Sequence, residues 1–308
     1  MPARNKIMTW RFINTGPGEA AMNMALDEAI FLLHEAGVAP PTLRVYGWQV
    51  PTLSLGYAQS THREVNLDAC QQYGVAVVRR PTGGRAVLHD DEVTYSVIMP
   101  TAASEATRSL TAHYHRIGLA LLAALFDVGL AVRLARPQRP AVPRATTSPA
   151  CFAALSRYEI SVAGRKLVGS AQKRSLNALL QHGSMPFTLD RERLFQCLQV
   201  PPEQRQTLVQ EAYASMAGIR EVATVSVGPA ALHEALRTGF AKTFEVKFEN
   251  GDVLPAEWDL AHELYATKYA TPAWNLGGAA VWRRLGLEGS EVGVRQDENH
   301  DCHDCNRA

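Results

Sequence analysis

The sequence predicts an α+β fold, with a mixed central sheet flanked by helices and a mainly helical C-terminal part. Three observations lead there. Strand-like segments fall next to one another as hairpins instead of alternating strictly with helices, which argues against a doubly wound parallel sheet. The stretch 157–185 reads as a meander of three strands. With 46% apolar residues over 308 positions, the chain buries enough surface to offset its ordering entropy.

Taken in order, residues 10–14 read as a short strand entering a turn at Thr15-Gly16-Pro17-Gly18. A helix over 19–35 follows, because Met22, Ala25, Leu26, Ala29, Leu32 and Leu33 recur at helical spacing. Asp27, Glu28 and Glu35 fall mostly off that stripe, and Gly37 with Pro40-Pro41 ends the helix. Strands are expected at 42–48 and 52–56, a helix at 63–73 ending on Gly74, and an apolar strand at 75–79. Segments 85–88 and 93–99 look like a strand pair around His89-Asp90-Asp91, and 107–128 is the longest helical stretch. The region 136–149 carries four prolines and several arginines without periodicity, so it reads as an exposed loop. In the meander, strands 157–162, 166–173 and 178–185 are separated by turns at Gly164 and near Asn177. Beyond Arg191 the pattern is mostly helical, clearest at 230–244 and 258–268. The organisation expected is a catalytic core over 1–190, a helical part packed on it over 191–290, and a polar tail over 291–308.

Composition removes several function classes. Thirty-one Lys plus Arg against thirty Asp plus Glu leave +1, so no global field draws the chain to nucleic acid or anionic lipid. Apolar runs such as 119–126 are far shorter than the roughly 20 residues that cross a bilayer. The first residues are charged with no apolar stretch behind them, so no secretory signal is read. Five cysteines, Cys70, Cys151, Cys197, Cys302 and Cys305, form no regular framework. That usage fits a reducing compartment, and the expected location is the cytoplasm.

Four constellations could carry chemistry. In the run from Arg79 and Arg80 through Pro81, Thr82, Gly83, Gly84 and Arg85 to His89, paired glycines let backbone N–H groups approach a ligand, with cationic donors on both sides. On pattern alone a plain turn with solvated charges is the commoner reading, and the Gly-Lys-Ser/Thr ending of a Walker loop is missing. In the second, strand alternation places Lys166, Val168 and Ser170 on one face, and Gly169 marks a close approach of ligand or backbone. Lys166 is then either a desolvated charge able to bind an anion or lower a thiol pKa, or a solvated strand lysine. The third is Cys151, where the proline-rich loop meets the meander: a core filler or an accessible nucleophile. Cys70 and Cys197 sit on helical faces with Leu67 and Leu194 and read as core thiols. The fourth, His300-Asp301-Cys302-His303-Asp304-Cys305, has ligand types for zinc but no second cluster to close a site, so no metal is expected.

Together these motifs resemble the biotin/lipoate protein ligase superfamily. The resemblance rests on residues 79–90, the Glu92-Val93-Thr94-Tyr95-Ser96-Val97 strand, Cys151-Phe152, residues 164–174 and Leu180-Gln181-His182-Gly183-Ser184. A weaker echo lies at residues 268–275. Each motif is modest, but their order and spacing are specific. Within the superfamily the pattern is most similar to the octanoyltransferases, which move octanoyl from octanoyl-acyl carrier protein onto a lysine of lipoyl domains. The resemblance implies a mixed-sheet catalytic domain, an acyl tunnel lined by the glycine turn, and neither metal nor cofactor. It assigns the acyl-thioester cysteine to Cys151 and the lysine that tunes it to Lys166, fifteen residues later. Arg80, Thr82, Gly83, Gly84, His89, Gly169, Ser170, Ala171, His182 and Gly183 become the substrate-binding residues. Acceptors implied are lipoyl proteins such as glycine cleavage H protein or dehydrogenase acyltransferase subunits.

The chemistry is coherent. A carrier thioester is already activated, so transfer to a thiolate is near thermoneutral and needs no ATP, and aminolysis by a lysine runs downhill to an amide. The route needs a cysteine nucleophilic at neutral pH, whereas a free thiol has a pKa of about 8.5. The neighbouring readings that the resemblance leaves are an ATP-dependent lipoate–protein ligase, a type that does not use a cysteine at the Cys151 position, and an amidotransferase working between lipoyl domains. A non-catalytic carrier- or lipoyl-domain binding module is the alternative outside enzymology.

Overall fold

The computed structural model describes residues 7–101, 110–134 and 159–277. In chain order its elements are β1 (Thr9–Gly18), α1 (Ala20–Glu35), β2 (Thr42–Trp48), β3 (Thr52–Leu55), α2 (Thr61–Glu64), α3 (Leu67–Gln72), β4 (Ala76–Arg79), β5 (Val87–His89) and β6 (Glu92–Pro100). They continue with α4 (Leu110–Asp127), β7 (Arg133–Leu134), β8 (Ile160–Val162), β9 (Arg165–Lys166), β10 (Gly169–Arg174) and β11 (Ala178–Pro186). The C-terminal part is α5 (Arg191–Cys197), α6 (Pro202–Ser215), α7 (Ile219–Val222), α8 (Pro229–Phe244), β12 (Lys247–Asn250), α9 (Pro255–Leu264), a π-helical turn (Tyr265–Tyr269) and α10 (Pro272–Asn275).

The central sheet is mixed, as expected, in the order β10-β11-β6-β2-β1-β12. The pairs β1–β12 and β1–β2 are parallel, and β2–β6, β6–β11 and β11–β10 are antiparallel. Helices cover both faces, so its inner strands are buried along nearly their whole length. On one face Leu43, Val45, Tyr95, Val97 and Leu179 pack with Ile117, Leu121 and Leu125 of α4 and Leu236 and Phe240 of α8. On the other, Tyr46, Trp48, Ile98 and Leu180 meet Met24, Ile30 and Phe31 of α1 and Leu260 and Leu264 of α9. A small sheet, β4-β3-β5, carries a third cluster against α3, α5 and α6, in which Cys70 and Cys197 are buried.

Several local expectations change. The 15–18 turn belongs to β1, whose pairing with β2 is irregular between Asn14 and Gly16. The 63–73 helix divides into α2 and α3 because Val65 bridges to Leu198 and the Asn66 side chain caps α3 by accepting from the Ala69 N–H at 3.1 Å. The 85–88 and 93–99 segments do not pair with each other: β5 pairs with β3, and β6 with β2 and β11. The 166–173 strand breaks at Leu167-Val168 between two sheets, so Lys166 and Ser170 share no continuous strand face. Strand β12, polar in sequence, joins the sheet edge beside β1.

Buried charges tie the C-terminal segment down. Glu257 pairs with Arg11 in β1. Glu28 in α1 binds Lys268 at 2.6 Å, Lys173 at 2.5 Å and the Tyr269 hydroxyl at 2.7 Å. The Arg79 guanidinium donates to the carbonyls of Gly56, Gln59, Trp274 and Asn275. Arg79 therefore holds architecture, not ligand.

Candidate active site

Strand alternation builds the site. On the α1 face, β2 presents Arg44, Tyr46 and Trp48, β6 presents Thr94 and Ser96, and β11 presents His182 and Ser184. In a one-sided sheet such a polar row would face water. Here α1 lies over it, and Asn23 and Asp27 satisfy part of it from above. Next to this row is a small cavity of about 30 Å³. Met24, Tyr46, Trp48, Val87 and Ala171 supply apolar wall, and Ser54, Arg80, His89, Thr94, Ser170, His182 and Ser184 supply polar atoms.

Two carboxylate–imidazole chains support that wall. Asp27 is fully buried and accepts from Arg44 at 2.7 Å, Ser96 at 2.7 Å and the Tyr46 hydroxyl at 2.9 Å. Burial alone would raise its carboxyl, but Arg44, His182 and Ser96 outweigh that and hold it below the ordinary range. His182 Nδ1 lies 3.1 Å from Asp27, and its Nε2 lies 2.6 Å from the Thr82 hydroxyl. In the second chain His89 Nδ1 is 2.8 Å from Glu92, and His89 Nε2 is 2.7 Å from the Ser54 hydroxyl. Burial raises Glu92 too, but His89 and the Ser184 and Thr94 hydroxyls lower it further and keep it ionised. Trp48 stacks on the His89 ring at 4.3 Å and donates its indole N–H to Thr94 at 2.8 Å. Arg80 donates to the Ser54 hydroxyl at 2.8 Å and to the carbonyls of Gly83 and Arg85 at 2.9 and 3.0 Å.

Among the residues expected to bind substrate, Arg80, His89, Gly169, Ser170, Ala171, His182 and Gly183 line this one cavity. Thr82 is buried behind His182. Gly83 and Gly84 are exposed on their turn and stand outside the lining. Gly84 has φ +96°, and a Cβ on Gly56 would lie 1.9 Å from the Gly84 carbonyl oxygen, so close backbone packing is one reason for small residues here. Gly183 is similarly constrained, since a Cβ would lie 2.6 Å from the Tyr95 ring.

Lys166 lies elsewhere. Its ammonium donates to Glu159 at 2.6 Å, and both side chains are buried. Glu159 lines a second, smaller cavity of about 10 Å³ between α4 and strands β8, β10 and β11, and Ser170 lines both. The Tyr95 hydroxyl, pushed up to about 12 by burial, stays protonated 2.9 Å from Ser170 Oγ. Cys151 lies outside the described residues, as does the 300–305 Cys/His cluster. No group of three or more His, Cys, Asp or Glu side chains suited to a metal occurs among the described residues. No helix among them is long and apolar enough to cross a membrane.

A model of the lipoyl protein ligase A/B catalytic domain matches residues 19–241, which spans both cavities. The chain belongs to the lipoyl protein ligase A/B catalytic-domain family. Among full-length relatives, Octanoyltransferase LipM of Kyrpidia tusciae is 42% identical over 272 residues, covering 87% of this chain and 99% of the relative. Octanoyltransferase LipM of Bacillus subtilis is 38% identical over 271 residues, with 87% and 98% covered. In three dimensions the chain resembles a bi-partite lipoate protein ligase from Thermoplasma acidophilum with a TM-score of 0.74, 27% identity and 88% and 97% coverage. A lipoate-protein ligase A bound with ATP gives a TM-score of 0.72, 27% identity and 88% and 99% coverage. This member of the lipoyl protein ligase A/B family is an acyltransferase.

Sequence reasoning missed Asp27, Glu92, Ser54, Trp48 and Glu159. Asp27 carried one signal: a helix whose apolar stripe is wide enough to bury most of its girth buries its off-stripe charges too.

Proposed function

We propose that this acyltransferase moves an octanoyl group from octanoyl-acyl carrier protein onto a lysine of lipoyl domains, through a thioester on Cys151. The observation that carries the reading is the match at 42% identity to 99% of a relative bearing the octanoyltransferase name. The apolar side of the cavity, built from Met24, Tyr46, Trp48 and Val87, is the kind of surface an acyl chain packs on. In the first step the Cys151 thiolate attacks the carrier thioester, a new thioester forms, and the carrier thiolate leaves. In the second, the deprotonated amine of the acceptor lysine attacks, the amide forms, and Cys151 departs as the thiol, with the proton that the nitrogen gives up.

Lys166 enters this reading as half of an ion pair. A charge paired at 2.6 Å presents a dipole, so it supports a thiolate only at short range. Lipoyl acceptors are inferred from the same family relation, with glycine cleavage H protein and dehydrogenase acyltransferase subunits as the types expected.

A second reading, ATP-dependent ligation of a free acid, is favoured by the likeness to the ATP-bound ligase. Intact-protein mass spectrometry separates the two. Octanoyl-carrier protein without ATP should leave a hydroxylamine-sensitive octanoyl adduct on wild type and none on Cys151→Ser. Lipoyl-domain modification only with ATP and free acid, and no adduct, would replace the transferase by the ligase.

A further inference from the structure

The protons of the Asp27–His182–Thr82 chain are fixed by their partners. Asp27 is ionised and already accepts from Arg44, Tyr46 and Ser96, so towards His182 it again accepts and Nδ1 carries the hydrogen. Burial pulls the His182 pKa below the ordinary 6.5 against the pull of Asp27, and the nearby Arg80 and His89 act in the same direction as burial. The ring is neutral at neutral pH, Nε2 is bare, and the Thr82 hydroxyl donates to it at 2.6 Å. Thr82 belongs to the 81–85 turn, whose Gly83 and Arg85 carbonyls are held by Arg80.

We infer that Asp27 and His182 are positioning residues that dock the 81–85 turn against the acyl cavity, and that docking requires the neutral, Nδ1-protonated form of His182. A proton on Nε2 would reverse this hydrogen bond, so that the Thr82 hydroxyl has to turn and accept, and would set a charged ring against Arg80, the guanidinium that holds the same turn, so docking weakens as the ring charges. The charged and titratable groups around the ring are Asp27 from α1, Arg44 of β2 behind it, Arg80 following β4, and His89 of β5. The inference rests on the acyl-transfer reading of the cavity.

Two measurements on the full chain test it. With octanoyl-carrier protein as donor, Thr82→Val should lower kcat/KM about tenfold, as one lost buried hydrogen bond does, and Thr82→Ser should recover most of it. The acid limb of the wild-type profile should lie below pH 6.5 and be blunted in Thr82→Val. Ring-nitrogen NMR, with the His182 signal assigned from His182→Gln, should show the neutral Nδ1-protonated tautomer. Asp27→Asn should invert it, and Thr82→Val covers the case that Asn at this buried position fails to fold. An Nε2-protonated or charged ring in wild type overturns the inference. So does Thr82→Val with wild-type kcat/KM, or Thr82→Ser losing as much as Thr82→Val. Wild type that turns over no octanoyl donor overturns the acyl-transfer reading, and the ring spectrum then decides the docking by itself.

Discussion

Glu28→Gln keeps the shape of its side chain while removing the negative charge that two lysines share. Burial alone would raise the Glu28 carboxyl, but Lys268 and Lys173 outweigh it and bring it from 4.5 down to about 2. At about 1.4 kcal/mol per pH unit, that difference stabilises the folded state by about 3 kcal/mol at neutral pH. Glu28 and Lys268 are largely buried, whereas the Lys173 side chain is 31% exposed, so solvent screening trims its share. The Tyr269 hydroxyl loses its acceptor in the same substitution. The expected net loss is about 2–4 kcal/mol, read by urea unfolding, with the π-helical turn and α10 loosening from α1. The sign with pH follows from the lowered carboxyl: its contribution is complete above pH 4.5 and disappears as pH falls through about 2. The stability gap between wild type and Glu28→Gln should therefore close by roughly half at pH 3. A gap under about 1 kcal/mol at pH 7, or one that does not change between pH 6 and pH 3, would refute the argument.

Two further substitutions probe the cavity directly. In Gly183→Ala the new methyl would meet the Tyr95 ring, the Gly169 carbonyl at 2.7 Å and Ser170 Oγ at 2.8 Å. Backbone on one side leaves little room to yield, so a loss of about 1–3 kcal/mol is expected by thermal unfolding, and a wild-type midpoint would show that β10 moves freely. Met24→Ala removes the flexible wall residue that α1 lends to the cavity, so decanoyl relative to octanoyl donor should gain about tenfold in kcat/KM. An unchanged ratio would place the end of the acyl chain away from Met24.

The sequence by itself determined the fold class and most of the elements: β2 occupies the expected residues, and α1, α4, α8 and β11 agree to within a few positions. Those segments are long, strongly patterned and bounded by glycine or proline, so local physics decides them. The resemblance to the family was legible too, because the glycine turn, the Gly-Ser-Ala strand and the Gln-His-Gly strand that it rests on are each contiguous in the chain. The pairing of the shortest elements escaped it. Strand β5 spans three residues and is a strand only through β3, far earlier in the chain, while the two-residue β9 closes a tight hairpin with β8.

Tertiary structure alone decided how the polar residues are used. The Arg44, Thr94, Ser96, His182 and Ser184 alternation has the same pattern as a solvent-facing row, and only α1 lying across it makes it the interior of a site. Asp27 and Glu28 are adjacent on the helix yet serve different ends, one holding His182 and the other anchoring the C-terminal segment. Lys166, readable from the sequence as a desolvated pocket charge or a solvated strand lysine, is buried with Glu159 beside it, a residue seven positions earlier brought back by the β8–β9 hairpin. Charge pairing of this kind depends on distances of 3 Å or so between atoms, and sequence spacing carries no such distances across a fold.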